Sequence, residues 1–240
     1  MSEKIEPRRL PGEISSLDEE AARDLRVITL ERSVLEDNDR IAAQNRALFA
    51  RHGIYVLNLI SSPGAGKTSL LVETLYRMRG KLRCAVVEGD QQTAHDAQRI
   101  AGTGAPVVQI NTRGGCHLNA AQVRSALEHL PLDELELIFI ENVGNLVCPS
   151  SFDLGENEKI VLMSITEGED KPVKYPQAFA LARLMVLTKI DLLPHLRFDM
   201  ELCESFACRV NPQIEIIKTS VFNDSGLDSW LDAMRKRAGR

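Results

Sequence analysis

The segment Ser61-Ser62-Pro63-Gly64-Ala65-Gly66-Lys67-Thr68 constrains this chain more than any other, because it directly follows the apolar run Ile54–Ile60 and opens a helix-like stretch from Ser69 to Met78. A strand, a glycine-rich turn and a helix in that order make a phosphate-binding loop. Backbone N–H groups around Gly64, Ala65 and Gly66 can turn inward on phosphate oxygens, and the helix that Ser69 continues presents its positive end to the same anion. Lys67 supplies a mobile charge near the β- and γ-phosphates, and the Thr68 hydroxyl can sit on Mg²⁺. Ser61 stands where the full eight-residue pattern has its first glycine. A glycine-rich turn with a solvated lysine would not require strand and helix to flank it in this order.

Seven short apolar runs then alternate with helix-like stretches: Ile54–Ile60, Leu82–Val87, Val107–Ile110, Leu137–Ile140, Ile160–Ile165, Leu184–Leu187 and Ile214–Ile217. Runs rich in Val and Ile and apolar throughout are expected where helices cover both faces of a parallel sheet. The expected fold is therefore a doubly wound α/β domain with a mostly parallel sheet, a P-loop NTPase (G domain) with an N-terminal helical extension. Residues 1–25 are polar, contain Pro7, Pro11 and Gly12, and read as a mobile arm. Residues 26–240 read as one domain, which includes an amphipathic helix over Val27–Phe49 that ends near Gly53 and packs on the rest.

Composition narrows the function. A formal charge of −5 would repel a phosphate backbone, which argues against a general nucleic-acid binder. Met1–Glu20 is charged and has no apolar core of a signal peptide, and no run is long enough to span a bilayer, so a cytoplasmic protein without membrane contact is expected. Five cysteines in such a chain read as thiols or metal ligands rather than a disulfide framework.

Ligands of doubly wound folds sit at the carboxyl ends of the strands, so the residues after each run carry the functional reading. After the second run comes Glu88-Gly89-Asp90, with Asp96 beyond it; Asp90 can hold Mg²⁺ or orient an attacking water, or it can cap a helix from Gln91. After the fourth comes Glu141-Asn142-Val143-Gly144. Glu141 can reach Mg²⁺ or the water, and Gly144 lets a backbone N–H approach the γ-phosphate. After the sixth, Thr188-Lys189-Ile190-Asp191 resembles the Asn-Lys-x-Asp guanine motif with Thr188 in place of Asn. Asp191 can accept from both guanine donors, the Lys189 stem can lie along the base, and Thr219 and Ser220 are placed to offer backbone N–H groups to the guanine O6. GTP or GDP with Mg²⁺ is the nucleotide these residues fit.

A second group of residues suits a softer metal. Cys116 and His117 follow the third run, and Cys148 lies just beyond the Glu141 loop; thiolate and imidazole together fit Zn²⁺ or Ni²⁺. Three ligands leave a position for water or for a second copy of the chain. Cys84, in a strand, and Cys203 and Cys208, in a helix-like stretch, read as packing residues rather than ligands. Only Asn145, Leu146 and Val147 separate Gly144 from Cys148, so a change at the γ-phosphate should move the metal ligand.

Taken together, Ile60–Thr68, Glu88-Gly89-Asp90, Gly115-Cys116-His117-Leu118, Glu141 to Pro149 and Thr188–Asp191 resemble the hydrogenase nickel-incorporation GTPases, the HypB family, from about Val34 to the C-terminus. The resemblance implies a slow GTPase that acts as a homodimer and helps deliver nickel to the large-subunit precursor of nickel-iron hydrogenase, together with a HypA-type nickel- and zinc-binding accessory protein. It also implies that Cys116, His117 and Cys148 bind Ni²⁺ or Zn²⁺ at the subunit interface, and that a lysine after Thr166–Asp170, here Lys174, reaches the partner's nucleotide. The first 50 residues contain neither Cys nor His, so an N-terminal nickel site or a storage role is not expected. Related urease-maturation GTPases carry Cys-Pro-His where this chain has Cys116-His117. A metal-binding dimerisation module that uses nucleotide only as a structural ligand is the reading from a different class.

Overall fold

The computed structural model describes residues 34–91 and 94–239. The expected arm, residues 1–25, and the first residues of the helix expected from Val27 lie outside the described residues. The chain divides into two compact units, Met1–Asp37 and Asn38–Arg240. Of the first, residues 34–37 are described, and they are helical.

The second unit is built on seven strands, all paired in parallel: β1 (Tyr55–Ser61), β2 (Cys84–Asp90), β3 (Val107–Asn111), β4 (Leu137–Glu141), β5 (Glu158–Ser164), β6 (Ala182–Thr188) and β7 (Glu215–Lys218). Their order in the sheet is β3-β2-β4-β1-β5-β6-β7. Strand order therefore reverses at β1, with β2 to β4 on one side and β5 to β7 on the other. That reversal opens a crevice at the carboxyl end of β1, where doubly wound sheets take their ligands.

Alternate residues of each strand feed the two faces. Leu57, Leu59, Phe139, Leu162 and Val186 pack with helices α2 (Lys67–Met78) and α9 (Leu227–Arg237) on one face. Val56, Ile138 and Ile140 pack with Phe49, Val123 and Leu127 on the other, the last two from α4 (Ala120–Leu127). Trp230 is fully buried and donates its indole N–H to Thr74 Oγ1 at 2.8 Å, which ties α9 to α2 without leaving a polar group unpaired. Burial of a side chain this size is worth at least about 1.5–3 kcal/mol, so α9 is an integral part of the domain.

α1, the helix that ends at residue 52, turns at Gly53 in the left-handed conformation, at φ 66°, as the spacing predicted. Ala42, Asn45 and Phe49 are buried on it, and Asn45 Nδ2 donates to the carbonyls of Ala120 and Leu154. Gly155 faces it so closely that an added Cβ would lie 2.7 Å from Ala42 O. The remaining helices are α3 (His95–Ala101), α5 (Cys148–Ser151), α6 (Lys171–Lys174), α7 (Pro176–Leu181) and α8 (Met200–Val210). Among the described residues no helix is long and apolar enough to cross a membrane.

Candidate nucleotide and metal site

The turn between β1 and α2 takes its shape from two left-handed glycines, Gly64 at φ 76° and Gly66 at φ 94°, a conformation that costs other residues free energy. Lys67 begins α2 and is folded back into the turn, 8% exposed, with Nζ donating to Ser61 Oγ at 2.7 Å. Burial pushes its ammonium below the ordinary lysine range, against the pull of Glu141. Thr68 Oγ1 donates to Glu141 Oε1 at 2.7 Å, while Glu141 Oε2 is buried without a partner. Beside them Glu88, in register with Glu141 across β2 and β4, also has a buried, unpartnered Oε2. Its carboxyl is pushed up to about 8, first by burial and then by the neighbouring charges of Glu141 and Asp90. Two orphaned carboxylate oxygens next to a threonine hydroxyl are a donor set for a hard divalent cation, so the residues fit Mg²⁺.

Pro63, Gly64, Gly66, Lys67, Thr68, Ser69, Glu88, Asp90, Asp96, Arg99, Glu141, Gly144 and Lys189 enclose a cleft of about 480 Å³. Asp90 faces this cleft and accepts from the N–H of Gln91 at 2.6 Å. The next helix begins only at His95, so Asp90 does not cap it. Asp96 pairs with Arg99, whose guanidinium also donates to Ser69 Oγ. Gly144 lies against the phosphate turn, where an added Cβ would meet Pro63 Cα at 3.0 Å.

A second cavity, of about 460 Å³, adjoins the turn and is lined by Gly66, Lys189, Asp191, Thr219, Ser220, Val221 and Phe222 among others. Thr188 Oγ1 donates to Ala65 O at 2.6 Å and Lys189 Nζ to Gly64 O at 2.7 Å, so this segment braces the phosphate turn. Thr188 thus tethers the turn with its hydroxyl, and the absent Asn amide is not needed for that contact. Asp191 accepts from Ser220 Oγ. The backbone N–H groups of Thr219 and Ser220, expected to serve a base, are used inside the fold: they donate to Leu187 O and Ser225 O. What Ser220 brings to this cavity is its hydroxyl on Asp191, and Val221 and Phe222 line the wall, with Phe222 89% exposed.

The Cys-His-Cys group comes together at one point. One ligand atom from each of Cys116, His117 and Cys148 lies within 4.8 Å of the other two, and Cys116 Sγ is 3.4 Å from His117 Nδ1. Cys116 and His117 sit in the loop before α4, which ends in a reciprocal cap between Asn119 and Gln122. Cys148 opens α5 just ahead of Pro149. His117 stacks on Phe152, with centroids 3.9 Å apart, and burial holds its imidazole below the ordinary range. The Cys148 thiol and burial push Cys116 up. The imidazole therefore offers a lone pair at neutral pH, and the thiols give up protons as a soft cation binds. Among the described residues no other group of three or more His, Cys, Asp or Glu side chains is gathered this way.

The remaining cysteines divide. Cys84 and Cys203 are buried and pushed up to about 12 by that burial, as packing residues should be. Cys208 is exposed on α8 and packs in no core. Lys174 is exposed, paired with Asp170, and does not line the cleft of its own chain. Lys171, three residues earlier, donates to Ser62 Oγ at 3.0 Å in the phosphate turn and pairs with Glu167.

Residues 55–218 match the family model described as the CobW/HypB/UreG nucleotide-binding domain. The hydrogenase maturation factor HypB of Escherichia coli K12 is 56% identical over 207 residues, covering 86% of this chain and 71% of that protein. The crystal structure of HypB from Helicobacter pylori in complex with nickel superposes with a TM-score of 0.80 at 35% identity, over 84% of this chain and 95% of that one. HypB from Archaeoglobus fulgidus also gives 0.80, at 33% identity over 85% and 100%. With the phosphate turn, the acids at the ends of β2 and β4 and the Cys-His-Cys cluster all in place, the chain belongs to the HypB family of hydrogenase maturation factors.

Proposed function

We propose that this chain hydrolyses GTP slowly and uses the cycle to control dimerisation and nickel release during maturation of nickel-iron hydrogenase. The observation that supports the reading best is the shortness of the path from cleft to cluster. Gly144 abuts Pro63 in the phosphate turn, Asn145 bridges to Ser61 and donates to Cys116 O, and Asn145 Oδ1 accepts from the N–H of Val147, next to Cys148.

In this reading Lys67 and the N–H groups from Gly64 to Ser69 hold the phosphates. Thr68 and Glu141, with Asp90, would hold Mg²⁺, which would supply charge neutralisation to the phosphates. Asp90 or Glu141 orients the attacking water, Gly144 presents its N–H to the γ-phosphate, and Asp191 selects guanine. Loss of the γ-phosphate releases Gly144, and the backbone that carries Cys148 follows. Nickel is the cargo, held by Cys116, His117 and Cys148, with Zn²⁺ as a competing occupant. Equivalent residues of a second copy, or water, complete the coordination at a two-fold interface, where Lys174 reaches the partner's nucleotide. A HypA-type accessory protein and the hydrogenase large-subunit precursor are the proposed partners.

Steady phosphate release from GTP tests the enzymatic part. Lys67→Ala is expected to lower it by at least about 100-fold, the usual cost of one preorganised transition-state contact. Turnover that survives this change would put hydrolysis outside this cleft, and its absence in the unaltered chain would leave only a module that binds nucleotide structurally.

A further inference from the structure

The stretch from Gly144 to Cys148 is one of two physical routes between cleft and cluster, and the second runs through Asn142 and Leu118. Asn142 is 1% exposed, in surroundings where a polar side chain persists only with its hydrogen bonds filled. Its Oδ1 accepts from the N–H of Val143 at 3.0 Å and from the N–H of Leu118 at 3.1 Å. Its Nδ2 donates to Asn58 Oδ1 at 3.3 Å, on β1. Leu118 is the residue after His117, so an amide next to Glu141 holds the backbone on which the imidazole is mounted.

The side chain of Leu118 closes the same joint from the other strand. It is fully buried over Gly89, where an added Cβ would lie 2.8 Å from its Cγ and Cδ1. Gly89 sits between Glu88 and Asp90, the two cleft carboxylates of β2. The start of the metal loop is tied there as well: the Thr112 N–H donates to Asp90 O at 2.9 Å, and Thr112 Oγ1 donates to Gly115 O at 2.8 Å. A shift of the acids of β2 against Glu141 of β4 therefore moves both supports of Leu118.

We infer that Asn142, Leu118 and Gly89 form a joint that sets the position of Cys116 and His117 according to what fills the phosphate cleft. The inference rests on the nucleotide-coupled reading above and assigns its second arm. These are positioning residues, and they act through the loop they hold.

Thiol alkylation in the metal-free full chain tests this, with each cysteine followed by mass spectrometry and the exposed Cys208 as internal standard. In the unaltered protein the rate at Cys116 is expected to differ by at least about fivefold between GDP and a non-hydrolysable GTP analogue, the lower end of ordinary coupling. Asn142→Ala should at least halve that ratio, leaving what the long Asn145 Nδ2 bond to Cys116 O carries, while Cys148 keeps its own ratio. Gly89→Ala, whose Cβ would press on Cγ and both methyls of the buried Leu118, should do the same, with the melting temperature showing that the variant still folds. Asn142→Asp retains the acceptor for both N–H groups and should restore most of the ratio at Cys116. A wild-type ratio at Cys116 in folded Asn142→Ala and Gly89→Ala would overturn the joint, and so would loss at both thiols together, which marks a damaged cleft. No nucleotide dependence at either thiol of the unaltered chain would instead overturn the coupled reading itself.

Discussion

The phosphate cleft and the Cys-His-Cys cluster meet along one short loop, yet they hold their functional groups in different ways. In the cleft, Lys67, Thr68, Glu88 and Glu141 are all buried, and Lys67 and Thr68 are hydrogen-bonded to Ser61 and Glu141. In the cluster, Cys116, His117 and Cys148 are each half-buried, and the thiols lean on one another. Buried, paired groups make a rigid receptor for an anion. A half-open, three-ligand set can exchange its ion and accept a further ligand from outside. In the proposed cycle the difference in fixation matches the ligands' fates, the nucleotide held in a fixed pose and the metal let go.

Changes in the rigid region should therefore cost affinity or stability, and changes in the open one should cost metal alone. After Lys67→Ala, the largest effect is expected for Asp191→Asn, in the adjoining cavity. Removal of a charged acceptor for the two guanine donors, worth about 1.5–3 kcal/mol, should weaken GTP by roughly 10–100-fold and favour xanthosine triphosphate. Nucleotide titration checks this, and unchanged GTP preference would remove Asp191 from the base site. Gly144→Ala comes next. Its Cβ would press on Pro63 at 3.0 Å, so an overpacking cost of about 1–3 kcal/mol should lower the melting temperature. Cys148→Ala, at a half-exposed position, should change stability by less than about 0.5 kcal/mol while abolishing metal binding. Equal melting of the two variants would break the comparison.

A further effect concerns pH. The Glu88 carboxyl is raised to about 8 in the fold, from an ordinary value near 4.5 in the unfolded chain, so the folded form binds the extra proton between those limits. Stability contributed by protonated Glu88 is thus present below about pH 4.5 and lost as pH rises through about 8. Without nucleotide or Mg²⁺, Glu88→Gln should raise the melting temperature at pH 8 and leave it nearly unchanged at pH 5. Parallel melting curves for the two proteins across that range would contradict the buried carboxylate.

Each of the seven strands was legible as an apolar run, because strands covered on both faces need apolar residues throughout. Their ends were less so. β2 runs on to Asp90 because Glu88 and Asp90, read as following the apolar run, pair in register with Gln109 and Asn111. β5 and β6 begin before their apolar runs, at Glu158 and Ala182, where Lys159 and the exposed Arg183 interrupt the pattern. The phosphate turn and Thr188–Asp191 were legible because each is a local motif that carries its own geometry. Asn142 has no role of its own in the reading of Glu141 to Gly144, since its partners Leu118 and Asn58 lie 24 and 84 residues away in the chain. Lys171 and Lys174 differ only in where their neighbours lead them, to Ser62 and to Asp170, and no local signal separates the two.

In the proposed cycle, nucleotide state and metal affinity are linked through residues 144–148. Nickel titration of the full chain in GDP and in a non-hydrolysable GTP analogue, with oligomeric state recorded in the same samples, tests it most directly. The account predicts affinities that differ by at least about fivefold, with dimerisation favoured by the analogue. Equal nickel affinities in both states, together with an unchanged oligomer, would contradict it.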